Sequence, residues 1–455
     1  VFCGLCPKDG DGVYHFRSPY YGWGGSGAQQ GLCFAADCEM LDTRHFTATK
    51  EIFRYTEHQG SFQKTLSAFN ILYIGGIAHE LGHGLGLPHN REKPWENQKL
   101  GRALMGSGNF TYRQELVGGR GSFLTRASAL RLATHPMFTG SDRERFKKAV
   151  SDLDDLGFKL EGGALKVTGR VGGSPEIFAV IAYTDPNGGQ NYDAHPWIAE
   201  VRQGRFEFTV RTHRQGPHAL RLNFCHLNGG FSEYRLSYDT DGRGRPLAAA
   251  MNQAWAYGRA ELAFLDGRPK ETVRLAKAAL EADGKGQSAD KLRHLIALTE
   301  PAKPVKLSTA KANRISLSDV EWREAKVGWG GLARNQYYSG GGIRDGVCVA
   351  VGGRFHAKAI YAHAPARHVI GLDGGWKKLT ATVGLQKGAL ANGSGVFVVR
   401  GDGKELHRTK VLPADGSAEI VVDVTGIREL ELVTESGKRG NAGCWTVWGS
   451  PYVSR

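Results

Sequence analysis

The chain has 455 residues, a formal charge of +14, 63 glycines and 41% hydrophobic residues. That length exceeds one ordinary core and implies two to four domains. No apolar run reaches the roughly 18 residues of a membrane-spanning helix, and no Lys/Arg block or nucleic-acid-binding module accompanies the charge, so neither a helical membrane span nor a nucleic-acid partner is expected.

The chain opens at Val1 without an initiator Met or a leader. This fits a processed product, and a secreted or cell-surface location is expected. Residues 1 to about 70 are rich in Gly, Tyr and Cys, and only "GLCFAADCEMLD" (31–42) reads as a strand. Cys3, Cys6, Cys33 and Cys38 are read as two disulfides ahead of a zinc knot, although Cys3-x-x-Cys6 has ligand spacing. From Leu72 to Leu87 the period is helical, with Ile74, Ile77, Leu81 and Leu85 on one side. A second helix is expected after Thr125 as N-cap, with Pro136 just past its end.

Near Leu160 the period changes to two. Phe206, Phe208 and Val210, then Leu220, Leu222 and Phe224, alternate along "RFEFTV" and "ALRLNF", which predicts an antiparallel β-sandwich. Its loop "YTDPNGGQNYDAHPW" reads first as a plain solvated loop, with Asp185, Asn187 and Asp193 as candidates for calcium in the alternative. Val273, Ala276 and Leu280, then Leu292, Leu295 and Ile296, predict a helical hairpin across "ADGKGQS". Glu300 to Lys311 reads as a linker, and a second β-rich unit follows to the C-terminus.

The most specific stretch is "HELGHGLGLPHN", His79 to Asn90. Residues i and i+4 share one helix face, so His79 and His83 can offer two imidazoles to one ion, with Glu80 one step round. Gly86 lets the chain leave the helix through a left-handed turn and bring His89 back. Three neutral nitrogens and one water make an open tetrahedral zinc site, with Glu80 as general base for the water. A histidine-rich helix without metal is the alternative, but five fixed positions match HExxHxxGxxH.

These residues resemble the metzincin zinc metallopeptidases, whose long motif is followed by a Met-containing turn beneath the metal. "RALMGSGNFTY" supplies Met105, sixteen residues after His89. In several metzincins a Tyr two residues after that Met reaches the metal or the oxyanion; here that position is Ser107, and Tyr112 is the nearest alternative as a transition-state stabiliser. Asn90 does not settle the family within the clan. Few of the 78 residues before His79 look like the sheet that metzincins carry there, which leaves room for part of the catalytic domain upstream of Val1.

The C-terminal run contains "HVIGLD", "KLTATVGL", "GVFVVRGDGKEL" and "AEIVVDVTGIRELELVTE", with a hairpin at Gly401 to Gly403. From Ser316 to Arg455 it resembles the NPCBM domain, a jelly-roll module associated with carbohydrate binding. The resemblance implies a glycan partner, with Trp329, Tyr337, Tyr338, Trp376, Trp445 and Trp448 as candidate sugar-facing aromatics, although aromatics in a β-sandwich are more often core. Cys348 and Cys444, alone in this unit, are expected to pair, and basic "SGKRGNAGCW" argues against a calcium ion there.

The expected fold is therefore multidomain α+β. A metzincin-like catalytic domain (1–158) precedes an antiparallel β-sandwich (159–245), a helical hairpin (246–300) and a C-terminal jelly-roll β-sandwich (312–455). The expected function is a secreted zinc endopeptidase acting on glycan-associated proteins such as mucin-like glycoproteins. A glycan-binding or adhesion protein with a remnant zinc site is the alternative.

Overall fold

The computed structural model describes residues 1–16, 19–28, 30–186, 191–211, 214–282, 284–337, 347–437 and 440–455. They form two compact units, Val1–Asn252 and Gln253–Arg455.

The first unit begins with more strands than the sequence suggests. β1 (Phe2–Leu5), β2 (Tyr14–Phe16), β3 (Tyr20–Gly24), β4 (Gly31–Asp37), β5 (Ile52–Glu57) and β6 (Gly60–Thr65) all precede α1 (Leu66–Gly84). They make two small sheets, β1-β4-β3 and β2-β5-β6, with β1 parallel and β3 antiparallel to β4. Tyr14, Phe16, Phe53, Tyr55, Phe69 and Tyr73 fill a buried aromatic cluster between β2, β5 and α1. Strands of three to seven residues are too short to show a period, which is why the sequence reads as loop. α1 starts six residues before the predicted point because the Thr65 side chain accepts from the Ala68 N–H and caps it.

Thr125 caps the helix Arg126–Leu132 as predicted, and Pro136 opens a further short helix, Pro136–Thr139. The sandwich is present as two antiparallel sheets. One has strands in the order Arg205–Val210, Ala164–Ser174, Val150–Glu161; the other His195–Glu200, Ile177–Pro186, Pro217–His226, Phe231–Asp239. Phe206 and Phe224 meet between them. Val150–Glu161 runs across the expected boundary at residue 158, so that boundary would sever a paired strand.

The second unit has three helices where the sequence suggests a hairpin: Ala248–Leu265, which begins just before the unit, Pro269–Ala282 and Gly286–Thr299. Gly267, at φ 67°, ends the first, and Pro269 opens the second. Two larger sheets follow. One carries Arg314–Ser316, Thr446–Ser454, Lys378–Leu385 and Ser417–Asp423 in that order; the other carries Glu324–Lys326, Ala366–Gly371, Glu429–Ser436, Ser394–Gly401 and Lys404–Arg408. Asp402 and Gly403 both have positive φ, the two-residue hairpin turn that Gly-Asp-Gly predicts.

Packing decides between the alternatives for the aromatics and cysteines of this unit. Tyr337, Trp376, Trp445 and Trp448 are core residues, and Trp329 is exposed; Tyr338 lies outside the described residues. Cys348 and Cys444 do not pair. Cys348 Sγ accepts from the Tyr257 hydroxyl at 3.1 Å, and Cys444 donates to the Gly440 carbonyl. The four N-terminal cysteines are free thiols as well, Cys3 exposed and Cys33 and Cys38 buried.

Candidate metal centre

α1 delivers His79 and His83 on one face, and its last turn delivers the third histidine. The Gly86 N–H donates to the His83 carbonyl at 2.8 Å, and the Leu87 N–H to the Gly82 carbonyl at 2.9 Å, with Gly86 at φ 79°. This pair of bonds with a left-handed glycine is a Schellman stop, and it turns the chain back toward the helix face. Arg131 secures the turn from outside. Its buried guanidinium donates to the Gly86 carbonyl and to Asn223 Oδ1, and stacks on Phe231.

The outcome is a triad. The Nε2 atoms of His79, His83 and His89 lie 2.9 to 3.2 Å from one another. The other ring nitrogens explain why Nε2 points inward. His79 Nδ1 meets the Leu104 carbonyl at 2.6 Å and His83 Nδ1 meets the Leu87 carbonyl at 2.8 Å. A carbonyl only accepts, so both Nδ1 atoms carry the proton and both Nε2 atoms present a lone pair. Burial, opposed by the Leu104 carbonyl and reinforced by His83, pushes His79 down to about 4, so it is neutral. Convergent lone pairs repel unless a cation sits among them. This is the group among the described residues that could hold a metal ion.

Glu80 is half-buried on the adjacent face of α1. Burial raises the Tyr20 and Tyr192 phenols and the Cys33 thiol, and the nearby Glu80 charge adds to each, after Glu57 in the case of Tyr20. β3 lies directly against it. A Cβ built on Gly22 would fall 2.0 Å from the Glu80 carbonyl oxygen, so only glycine permits this approach.

Met105 is 1% exposed, and its Sδ fills the space beneath Gly82, in the turn of α1 between His79 and His83. Asn90 ties this region together. Its N–H donates to the Met105 carbonyl, its Nδ2 to Ser128 Oγ at 3.0 Å, and its Oδ1 accepts from Thr125 Oγ1 at 2.8 Å. The sequence leaves Asn90 without a role; the structure makes it the peg between the third histidine, the methionine turn and the next helix.

Two candidates move. Tyr112 stands beside Gly75, one turn before His79, with its ring on Phe46. The aromatic residue on the triad is Tyr192, whose ring centroid lies 3.6 Å from that of His89. The calcium reading of its loop does not hold. Both Asp185 oxygens accept from the Arg221 guanidinium, at 3.1 and 3.0 Å, and Asp193 pairs with Arg91 at 2.6 Å. Carboxylates neutralised by arginine leave no charge for a hard dication. Asn187 lies outside the described residues.

Comparison with known proteins bears mainly on the C-terminus. Residues 313–454 match the NPCBM/NEW2 domain family. A curated relative from Renibacterium salmoninarum, named "Putative endo-alpha-N-acetylgalactosaminidase", is 27% identical over 137 residues, which is 29% of this chain and 9% of the relative. Among solved structures, catalytically inactive OgpA from Akkermansia muciniphila, in complex with an O-glycopeptide substrate, is 24% identical with a TM-score of 0.42, over 52% of this chain and 64% of that one. CBM51 from Clostridium perfringens GH95, in complex with methyl-galactose, is 19% identical with a TM-score of 0.28, over 31% of this chain and 99% of that one. The chain thus spans about a tenth of that curated relative and under two thirds of OgpA, and its C-terminal third carries an NPCBM domain.

Proposed function

We propose that the chain is a zinc-dependent endopeptidase acting outside the cell on glycan-bearing proteins. The observation that carries this reading is the convergence of three Nε2 atoms, two of them with the lone pair turned inward by backbone carbonyls, on the helix that also carries Glu80. A tetrahedral zinc with Zn–N bonds of 2.0–2.1 Å needs nitrogens about 3.3 Å apart. The spacing of 2.9 to 3.2 Å is close to that value. Zinc, when bound, supplies a positive charge that acidifies water and polarises a carbonyl.

The chain's own residues account for the rest. Glu80 takes the proton of the attacking water on its carboxylate and returns it to the departing amine. Leu104 and Leu87 fix the His79 and His83 tautomers through their carbonyls. Met105 and Asn90 hold the floor on which the ligands stand. β3 is the edge strand of its sheet and runs against Glu80, so its outer backbone groups offer an extended peptide a ladder beside the site. The NPCBM domain at residues 313–454 supports a glycan tether, which raises the local concentration of the site near linked protein.

The test is metal content by mass spectrometry on the native chain and on Glu80→Gln, with cleavage of glycosylated and bare protein followed in parallel. One zinc in both proteins, with cleavage by the native chain alone, is the expected result. Zinc without cleavage by the native chain would favour the second reading, a glycan-binding protein with a remnant metal site. No zinc in either would sink both.

A further inference from the structure

A cleft of about 380 Å³ opens in the first unit between the helix Pro94–Leu100 and the strand His195–Glu200. That volume falls within the range of small-molecule sites. Trp95, Trp197, Ile198 and Phe208 line it with apolar surface, and Lys93 and Arg126 bring positive charge. Trp95 is 58% exposed, although a ring of that size gains most from being covered.

The two cations lack an anion. The Lys93 ammonium is half-buried and lies 4.4 Å from the centre of the Trp197 ring. Burial lowers it most; Glu96 opposes that, and the Arg126 charge adds to it. The carboxylates around them are turned to other groups. Glu96 Oε2 accepts from the Lys93 backbone N–H at 2.7 Å, Glu92 accepts from Asn97 Nδ2 and the Ala103 N–H, and Glu200 pairs with Arg202. Among the described residues neither Lys93 nor Arg126 has an ion-pair partner. A part-buried ammonium beside a guanidinium is unfavourable, and a bound anion would reverse that.

Position ties the cleft to the metal centre. Lys93 lies four residues past His89, and Trp197 five past Tyr192, whose ring lies on His89. The Arg91 N–H joins these two stretches midway by donating to the Ala194 carbonyl at 2.7 Å. Five residues span at most about 18 Å of chain. A short saccharide on a bound substrate covers that distance.

We propose that this cleft binds an acidic sugar of a glycan-bearing substrate, with its carboxylate or sulfate between Lys93 and Arg126 and the C–H face of its ring on Trp95. A sialic acid or a sulfated sugar carries both the anion and the flat face, whereas an Asp or Glu side chain of a peptide has no face to stack. The proposal rests on the reading of a chain directed at glycan-bearing proteins and deepens it, but binding at the cleft needs no cleavage.

The test is calorimetric titration of the full chain with 3′-sialyllactose, a sulfated lactose, plain lactose and a glutamate-rich peptide. The native chain is expected to bind one of the acidic saccharides on the order of 10-fold more tightly than lactose. Lys93→Met and Arg126→Met are each expected to weaken that binding on the order of 10-fold, with lactose affinity within about 3-fold and melting temperature and zinc content unchanged. Trp95→Ala is expected to weaken it as well, and Arg126→Lys, which keeps the charge, to stay close to native. Whichever acidic saccharide binds more tightly identifies the acid. Equal affinity for acidic and neutral saccharides, or native affinity in both Lys93→Met and Arg126→Met, overturns the proposal. Tight binding of the peptide in place of the saccharides, lost in the same variants, also overturns it and assigns the cleft to acidic peptide. A chain that cleaves no protein but shows this charge dependence sinks the peptidase reading alone.

Discussion

The close approach of β3 to α1 makes a sharp prediction at Gly22. An alanine Cβ there would lie 2.0 Å from the Glu80 carbonyl oxygen, 2.6 Å from its carbon and 2.8 Å from its Cα, where real contacts essentially never fall below 3.0 Å. All three atoms are backbone, so no side chain can rotate away, and β3 must move outward by about 1 Å. Overpacking of this kind costs about 1–3 kcal/mol. For a unit of 252 residues that is a fall in Tm of roughly 2–12 °C. A misplacement of about 1 Å beside reacting groups costs on the order of 100-fold in rate. Gly22→Ala should therefore melt earlier in calorimetry and cleave far more slowly, with zinc still bound because the three histidines sit on other backbone. Gly172→Ala, where nothing lies within 4 Å, is the matched control and should stay within about 0.5 kcal/mol of native. If Gly22→Ala melts within a degree of native and cleaves at the native rate, the seam is looser than argued and β3 does not set the geometry of Glu80.

Further expectations concern charge and metal. Chelation should lower one unfolding transition, by about 2.7 kcal/mol relative to protein held at 100 times the metal Kd, because the described residues offer one metal cluster and it lies in the first unit. His368 in the second unit is 0% exposed with neither ring nitrogen bonded, and burial, then Arg334, pushes it down to about 4. The fold prefers it neutral, so its contribution is intact above its ordinary 6.5 and is lost as pH falls from 6.5 toward 4. The loss is on the order of 3 kcal/mol. Denaturant melts between pH 7 and 4.5 should show it, and His368→Leu should flatten part of the slope; His294, His356 and His363 of the same unit, and His135, His195 and His226 of the first, are lowered by burial and add to it. Asp185→Asn leaves the buried Arg221 without its carboxylate and should destabilise by about 3–5 kcal/mol in denaturant melts. Added calcium should raise the Tm of neither protein; a rise in the native chain alone would restore calcium to that loop.

The legible part of the site was the part written in local spacing. His79, Glu80 and His83 share one helix, Gly86 turns the chain, and His89 follows within six residues of His83, so helix geometry alone brings them together. Met105 was legible only through the resemblance, since the helix Pro94–Leu100 and the strand Arg102–Ala103 separate it from His89. Tyr192 was not, because it meets His89 across 103 residues and its polar loop reads as a calcium candidate. The N-terminal sheets were hidden by strand length and by glycines whose purpose is a helix backbone that lies elsewhere in the sequence. The aromatics of the C-terminal sandwich mark the opposite limit. Trp376 and Trp448 look like sugar platforms by residue type, yet a large flat ring serves a core equally well, and only burial tells the two apart.

The ties that run from Arg91 to Asp193 and from Arg131 to Asn223 also bear on how such a chain can be rearranged in evolution. A gene break near residue 158 would carry the histidine motif into a new protein, but it would split the pairing of Val150–Glu161 and leave Tyr192 behind. A cassette that keeps the motif with the groups packed on it therefore has to run on through the last sandwich strand, Phe231–Asp239. Recombination among such chains should keep the motif and its sandwich on one exon-like block, while the binding module that follows is free to be exchanged for another.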